Sequence, residues 1–334
     1  MPFYPFGKSV GGGSVVSNFA RIKLPTFLTG ESTPKSLIDM LFGTETERRT
    51  ITNATNTVEN TGNIGTITEV SISSTGTNTL RGRLYYPKPS ASMNHPLSRG
   101  RLIVLFCSGS GGSAEDYGEP IADYYTGQGI KFLAINYRGF GRSGDKFSIG
   151  KGKGGTPSEA GLYDDAYYMY KYLKANGYQN NNIIVHGFSL GGPVAASLVK
   201  TQSKKGKAFR ALVLQSPMIS SYEAAADSAD EPIDGQAAKV TKYFLGKFDT
   251  RDKLTTIQAN NANMPIRLCS GGYNSGDQLD IAARLCNPKN ATSFLADVQG
   301  MNFNDLQSAR APGADHLSSA AHMQAADGIL QSIF

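Results

Sequence analysis

The chain has 334 residues, 40% hydrophobic and 18% charged, a balance that excludes disorder throughout and allows one large domain with an attachment or two small ones. Its 33 basic against 27 acidic side chains leave +6 without the long basic runs of a nucleic-acid arm, so a nucleic-acid partner is disfavoured. The longest apolar runs, Leu102 to Cys107 and Ala211 to Leu214, fall far short of the roughly 20 residues a membrane-spanning helix needs.

Residues 1–61 read as a loosely ordered or targeting extension. Gly11-Gly12-Gly13 and scattered Pro and Ser interrupt them, and one short amphipathic piece, Leu37 to Phe42, suits a packing arm. No cleavable signal is visible before Leu41, so the expected location is cytoplasmic, or outside the cell by export without a cleaved signal. The three cysteines, Cys107, Cys269 and Cys286, show no paired spacing and read as buried thiols in a reducing compartment.

Residues 62–334 read as one catalytic domain. A Thr/Ser-rich β-prone run around Ile67, Val70 and Ile72 turns at Thr75 to Asn78 into Leu80, Leu84, Tyr85 and Tyr86, which makes a hairpin. Five apolar runs of buried-strand type follow, at Leu102–Phe106, Phe132–Ile135, Ile183–Val185, Ala211–Leu214 and Pro265–Leu268, and Asp305 to Arg310 is a further extended stretch. Between them lie helical patterns, the clearest over Leu162 to Ala175 with Gly177 after its end, another following Gly192. Strands alternating with helices imply a mostly parallel sheet, since parallel neighbours need crossovers. The segment 219–264 breaks the rhythm and is expected to form a small cap.

The sharpest chemical signal is Gly187-Phe188-Ser189-Leu190-Gly191, a G-x-S-x-G between a predicted strand and a predicted helix. A serine on that turn projects above the sheet edge, but its hydroxyl is a weak nucleophile that needs a histidine base held by a carboxylate. In the order serine, acid, histidine, only His316 and His322 lie downstream. His316 follows the last extended stretch in a glycine-containing loop, whereas His322 is expected on a helix surface; His95 and His186 are expected to be structural. Asp277 is the first choice for the acid, and Asp280 is the alternative, equally suited to capping the next helix. The oxyanion that forms during acyl transfer needs donors, and the backbone amides of Leu190 and Ser110 are expected to supply them. The loop Ser108 to Ser113 lacks the Lys-Ser/Thr ending of a nucleotide-binding loop.

Asn136-Tyr137-Arg138-Gly139-Phe140-Gly141-Arg142-Ser143-Gly144, Pro157 to Ala166, and Phe188-Ser189-Leu190-Gly191-Gly192, in this order, resemble motifs of the α/β-hydrolases. Within that fold family they resemble the BEM46-like serine hydrolases related to the ABHD12, ABHD13 and ABHD17 groups. The resemblance implies an α/β class chain with an eight-stranded sheet flanked by helices, and an ester, thioester or amide hydrolase with no cofactor and no metal. It also implies a small-molecule or lipid-like acyl substrate. Two departures stand out: Ser108-Gly109-Ser110 replaces the usual His-Gly-Asn, and the loop before Asp277 is longer than usual. The expected function is a serine hydrolase acting on a carboxylester or thioester; the alternatives are a serine peptidase and a catalytically silent binding protein of the same fold.

Overall fold

The computed structural model describes residues 41–43, 46, 48, 62–74, 78–90, 99–143, 156–221, 246–271, 298, 300–311 and 319–334. The hairpin forms as β1 (Ile64–Ser73) and β2 (Thr79–Pro87), paired antiparallel with Val70 opposite Gly82. After it come β3 (Ile103–Cys107), α1 (Ala114–Gly127), β4 (Lys131–Ile135), α2 (Glu159–Ala175), β5 (Ile183–Phe188) and α3 (Gly191–Ser203). The chain then continues through β6 (Ala211–Gln215), α4 (Thr250–Asn260), β7 (Ile266–Gly271), β8 (Leu306–Ala311) and α5 (Ser319–Gln331).

The strands make one eight-stranded sheet in the order β1-β2-β4-β3-β5-β6-β7-β8, parallel from β4 to β8. Every residue of β3, β5 and β6 is buried, because helices cover both faces and each side chain has a core to enter. One core joins Leu105, Val185 and Leu212 to Leu162, Met169, Val194 and Leu254, so α2, α3 and α4 share that face. The other joins Val104, Phe106 and Ile184 to Ile121, Tyr125, Met323 and Leu330, which places α1 and α5 opposite. The chain crosses from β3 outward to β4 and then back past β3 to β5. This reversal opens a crevice at the carboxyl edge of the central strands, where α/β sheets bind ligands.

Two observations bear on the expected domain layout. Within the expected cap 219–264, Thr250–Asn260 is a helix between β6 and β7: Asp249 caps it by accepting from the Asp252 N–H (3.0 Å), it packs beside α3, and Leu254 and Ile257 are buried in the main core. Residues 222–245 lie outside the described residues. The ends of this insertion meet as a stem, where Ser221 N–H donates to the Lys247 carbonyl (3.1 Å) and Thr250 N–H to the Ile219 carbonyl (2.8 Å). Leu41 and Phe42, which fall within the expected extension, are buried in the main core.

Behind the hairpin, Arg83 lies 3.8 Å from Glu119, and Glu115 accepts from Asn136 Nδ2 (2.6 Å). Burial pushes the Glu119 carboxyl up to about 7, with Asp116 and Glu115 adding to the shift against the attraction of Arg83. A carboxyl with a raised folded-state pKa contributes stability that is complete below its unfolded value and is lost as pH rises through about 7. Glu119→Gln should therefore gain on the wild type between pH 5 and pH 8, by on the order of 1–2 kcal/mol in urea unfolding. A stability difference that stays constant over that range would sink this account.

Candidate active site

Ser189 sits between β5 and α3 with φ +52°, a left-handed conformation that costs a non-glycine residue about 1 kcal/mol. Neighbouring hydrogen bonds hold it there. Ser189 N–H donates to the Gln215 carbonyl (3.0 Å), while its own carbonyl accepts from Gly192 N–H (2.9 Å) and Met218 N–H (2.8 Å). Gly191 is required on packing grounds, since a methyl there would run into the Cys107 carbonyl where β3 leaves the sheet. The elbow expected from G-x-S-x-G is thus present, and Leu190 stands at the first turn of α3, where amides have no intrahelical acceptor.

The glycine-rich loop after β3 lies directly against it. A methyl on Gly109 would be 3.0 Å from the Phe188 ring and 3.4 Å from Ser189 Cβ, so Ser108 to Ser110 pass beside Ser189. Helix α1 starts immediately afterwards. Ser113 caps it by accepting from Asp116 N–H (3.1 Å), and Asn136 at the end of β4 accepts from Ala114 N–H (2.7 Å). Ser110 Oγ is buried without a hydrogen-bond partner among the described residues.

Below the elbow runs a buried polar chain that the sequence reading missed. Tyr125 Oη is 3.1 Å from His186 Nδ1, and His186 Nε2 is 3.1 Å from Gln215 Oε1. Gln215 Nε2 reaches Ser319 Oγ and His322 Nδ1, both at 3.1 Å. One assignment satisfies every link: Tyr125 donates to Nδ1, His186 donates from Nε2 to the amide oxygen, and the amide NH₂ donates to Ser319 and His322. Complete burial holds His186 neutral, pushing its pKa down to about 3 against the opposing bond from Gln215. His186 is therefore structural, as expected. His322 departs from the expectation of a helix-surface residue: it is fully buried on α5, because the first turn of that helix packs over the Gln215 amide. The one available signal was Gln215 itself, a polar residue closing the apolar run Ala211 to Leu214.

His316, Asp277 and Asp280 lie outside the described residues, as do His95 and Cys286. The chain leaves β7 at Gly271 and β8 at Ala311, both parallel to β5 and so on the edge that carries Ser189. Cys107 and Cys269 are buried thiols, and burial pushes the Cys107 thiol up to about 12, which removes it from nucleophilic chemistry. No cluster of metal-ligating side chains and no helix long and apolar enough to cross a membrane occurs among the described residues.

A family model described as serine aminopeptidase, S33, matches residues 98–265, half of the chain. Over 202 residues the chain is 35% identical to a multifunctional-autoprocessing repeats-in-toxin of Vibrio cholerae, covering 59% of this chain and 4% of the toxin. It is 30% identical over 195 residues to the lysophosphatidylserine lipase ABHD12 of Rattus norvegicus, covering 57% of this chain and 42% of the lipase. The chain thus spans less than half the length of either relative. Among solved structures, an alpha-beta hydrolase (ABH) from Vibrio vulnificus matches at 28% identity with a TM-score of 0.70, over 90% of this chain and 93% of the other. An esterase from Pyrococcus furiosus, 20% identical with a TM-score of 0.53 over 85% of this chain and 93% of its own, shares the fold.

Proposed function

Because the chain belongs to the serine aminopeptidase S33 family, a family of α/β-fold serine hydrolases, we propose that it cleaves a carboxylester or thioester by a Ser-His-Asp triad. The observation that carries this reading is Ser189 held at φ +52° on the turn between β5 and α3, beside the Gly109–Ser110 loop. His316 takes the hydroxyl proton as Ser189 Oγ attacks the carbonyl carbon, and Asp277 orients the imidazole, with Asp280 as the alternative acid. The amides of Leu190 and Ser110 stabilise the oxyanion of the tetrahedral intermediate. The intermediate collapses with the leaving group accepting the proton from His316, and water hydrolyses the acyl-enzyme by the same steps in reverse order.

The likeness to a lysophosphatidylserine lipase supports a lipid-like acyl substrate. The description of the matched family favours a second reading, hydrolysis of an N-terminal peptide bond by the same triad. Fluorophosphonate labelling located by mass spectrometry, with p-nitrophenyl esters of increasing acyl length and aminoacyl p-nitroanilides as substrates, tests both. Label on Ser189 and turnover of esters but not anilides is the expected result. Label at another residue would refute the nucleophile, and faster anilide turnover would favour the peptidase.

A further inference from the structure

The peptide unit between Ser110 and Gly111 is gripped at both ends. Its carbonyl, that of Ser110, accepts from the Tyr117 hydroxyl at 2.7 Å; its N–H, that of Gly111, donates to the Phe42 carbonyl at 3.0 Å. Gly111 has φ +76°, a left-handed conformation that glycine adopts without steric cost, so the loop's own sterics do not fix this plane and the two hydrogen bonds do. Tyr117 is seated by its ring against Phe188, centroids 5.4 Å apart, next to the elbow. Phe42 is seated by its own ring, 6.1 Å from that of Phe248 on the insertion stem, which in turn meets Tyr163 at 5.9 Å. A few residues on, the Arg48 carbonyl accepts from Gly141 N–H (2.6 Å), its Nε donates to the Gly139 carbonyl (3.4 Å), and its guanidinium lies 5.9 Å from the Phe140 ring. The short segment around Phe42 and Arg48 thus ties together three loops at the sheet edge that carries Ser189: those after β3 and β4, and the stem after β6.

Resting on the hydrolase reading above, we propose that Tyr117 and the Phe42 segment are positioning residues for catalysis, a two-sided clamp that fixes the Ser110–Gly111 plane and so aims the Ser110 amide at the oxyanion. The amide of Ser110 belongs to the preceding plane, and with the following plane immobilised only the Ser110 dihedrals remain between them. An oxyanion donor works without reorganising only if its direction is fixed before charge develops, so the clamp acts on the transition state rather than on substrate binding. Phe42, within the expected extension, thereby acts on turnover through the Ser110–Gly111 plane.

Tyr117→Phe in the full chain keeps the ring on Phe188 and removes the hydroxyl's bond to the Ser110 carbonyl. A net hydrogen bond of about 1 kcal/mol corresponds to a loss of kcat of roughly fivefold, with KM for a short-chain p-nitrophenyl ester unchanged. Phe42→Ala, which unseats the other side, should cost about tenfold or more, and Phe42→Leu should restore part of it by refilling the site. A trifluoromethyl ketone, whose serine adduct carries the oxyanion, should lose affinity by the same factor as kcat/KM in each variant. A merely structural role would not move that ratio once active sites are counted by fluorophosphonate burst. Unchanged kcat and ketone affinity in Tyr117→Phe, with the wild type active, would overturn the clamp and leave the hydrolase reading standing. A wild type that neither labels nor turns over would overturn the hydrolase reading instead. If Phe42→Ala fails to fold, hydrogen exchange in the wild type decides for that side: the Gly111 amide should be protected, and exchange at the rate of an open chain refutes its bond to Phe42.

Discussion

Ser189→Ala should lower kcat for any ester the enzyme accepts by at least about a thousandfold while leaving the fold and the substrate KM nearly unchanged. Members of a triad act as a unit, so removing the nucleophile leaves only the rate supplied by binding and oxyanion donors. The same site makes an opposite prediction about stability. Ser189 is held at φ +52° by the Gln215 carbonyl on one side and the Gly192 and Met218 amides on the other, a conformation in which its Cβ is crowded, and the proposed chemistry would account for a hydroxyl there. Glycine has no Cβ to crowd that conformation, so Ser189→Gly should be inactive yet at least as stable as the wild type. Conventional urea unfolding and steady-state assays on the two variants check this pair of outcomes. A Ser189→Ala enzyme retaining a tenth of wild-type activity would remove Ser189 from the mechanism. A glycine variant clearly less stable than the alanine variant would show that the turn is not strained.

What could be read from the sequence follows from how locally each feature is specified. The β-strands were visible because a sheet covered on both faces demands uninterrupted apolar runs, and Ile183–Val185 or Ala211–Leu214 meet that demand without reference to anything distant. The elbow was visible because Gly187, Ser189 and Gly191 satisfy a local steric requirement within five residues. The contacts that complete the site are of another kind. Tyr117 reaches Ser110 across the first turn of α1, Phe42 reaches Gly111 across 69 residues of chain, and Gln215 meets His322 across 107. A single tyrosine, phenylalanine or glutamine carries no periodic or spacing signal for such a partner. His322 was misplaced for the same reason: on the helix Ser319–Gln331 it shares the buried face of Met323, Ala326 and Leu330, and the Gln215 amide that meets it there lies 107 residues away in the chain. The helix Thr250–Asn260 was hidden because its mean hydropathy is low, with Leu254 and Ile257 as its two buried apolar residues.

The two downstream histidines should separate activity from stability. His316→Ala is expected to reduce kcat by about a thousandfold or more, as for the serine, since the proposed base and nucleophile fail together. His316 follows β8 in the chain and is proposed to act as the base and not to pack, so the melting temperature should stay close to that of the wild type. His322→Ala attacks a different quantity. The fully buried imidazole accepts from Gln215 Nε2, so its removal opens a cavity and takes away one of the two acceptors of the amide NH₂. The cost should be about 2–4 kcal/mol of unfolding free energy, read as a lower urea midpoint at unchanged slope. The folded fraction of that variant should still react with a fluorophosphonate at Ser189, because Ser189 is held through the Gln215 backbone carbonyl and not through its side chain. Kinetics normalised to the burst of labelled enzyme distinguish the two effects. If the folded His322→Ala enzyme is as inactive as His316→Ala, the polar chain from Tyr125 to His322 takes part in catalysis and the base is misassigned. If His316→Ala keeps its turnover, proton transfer from Ser189 needs another acceptor.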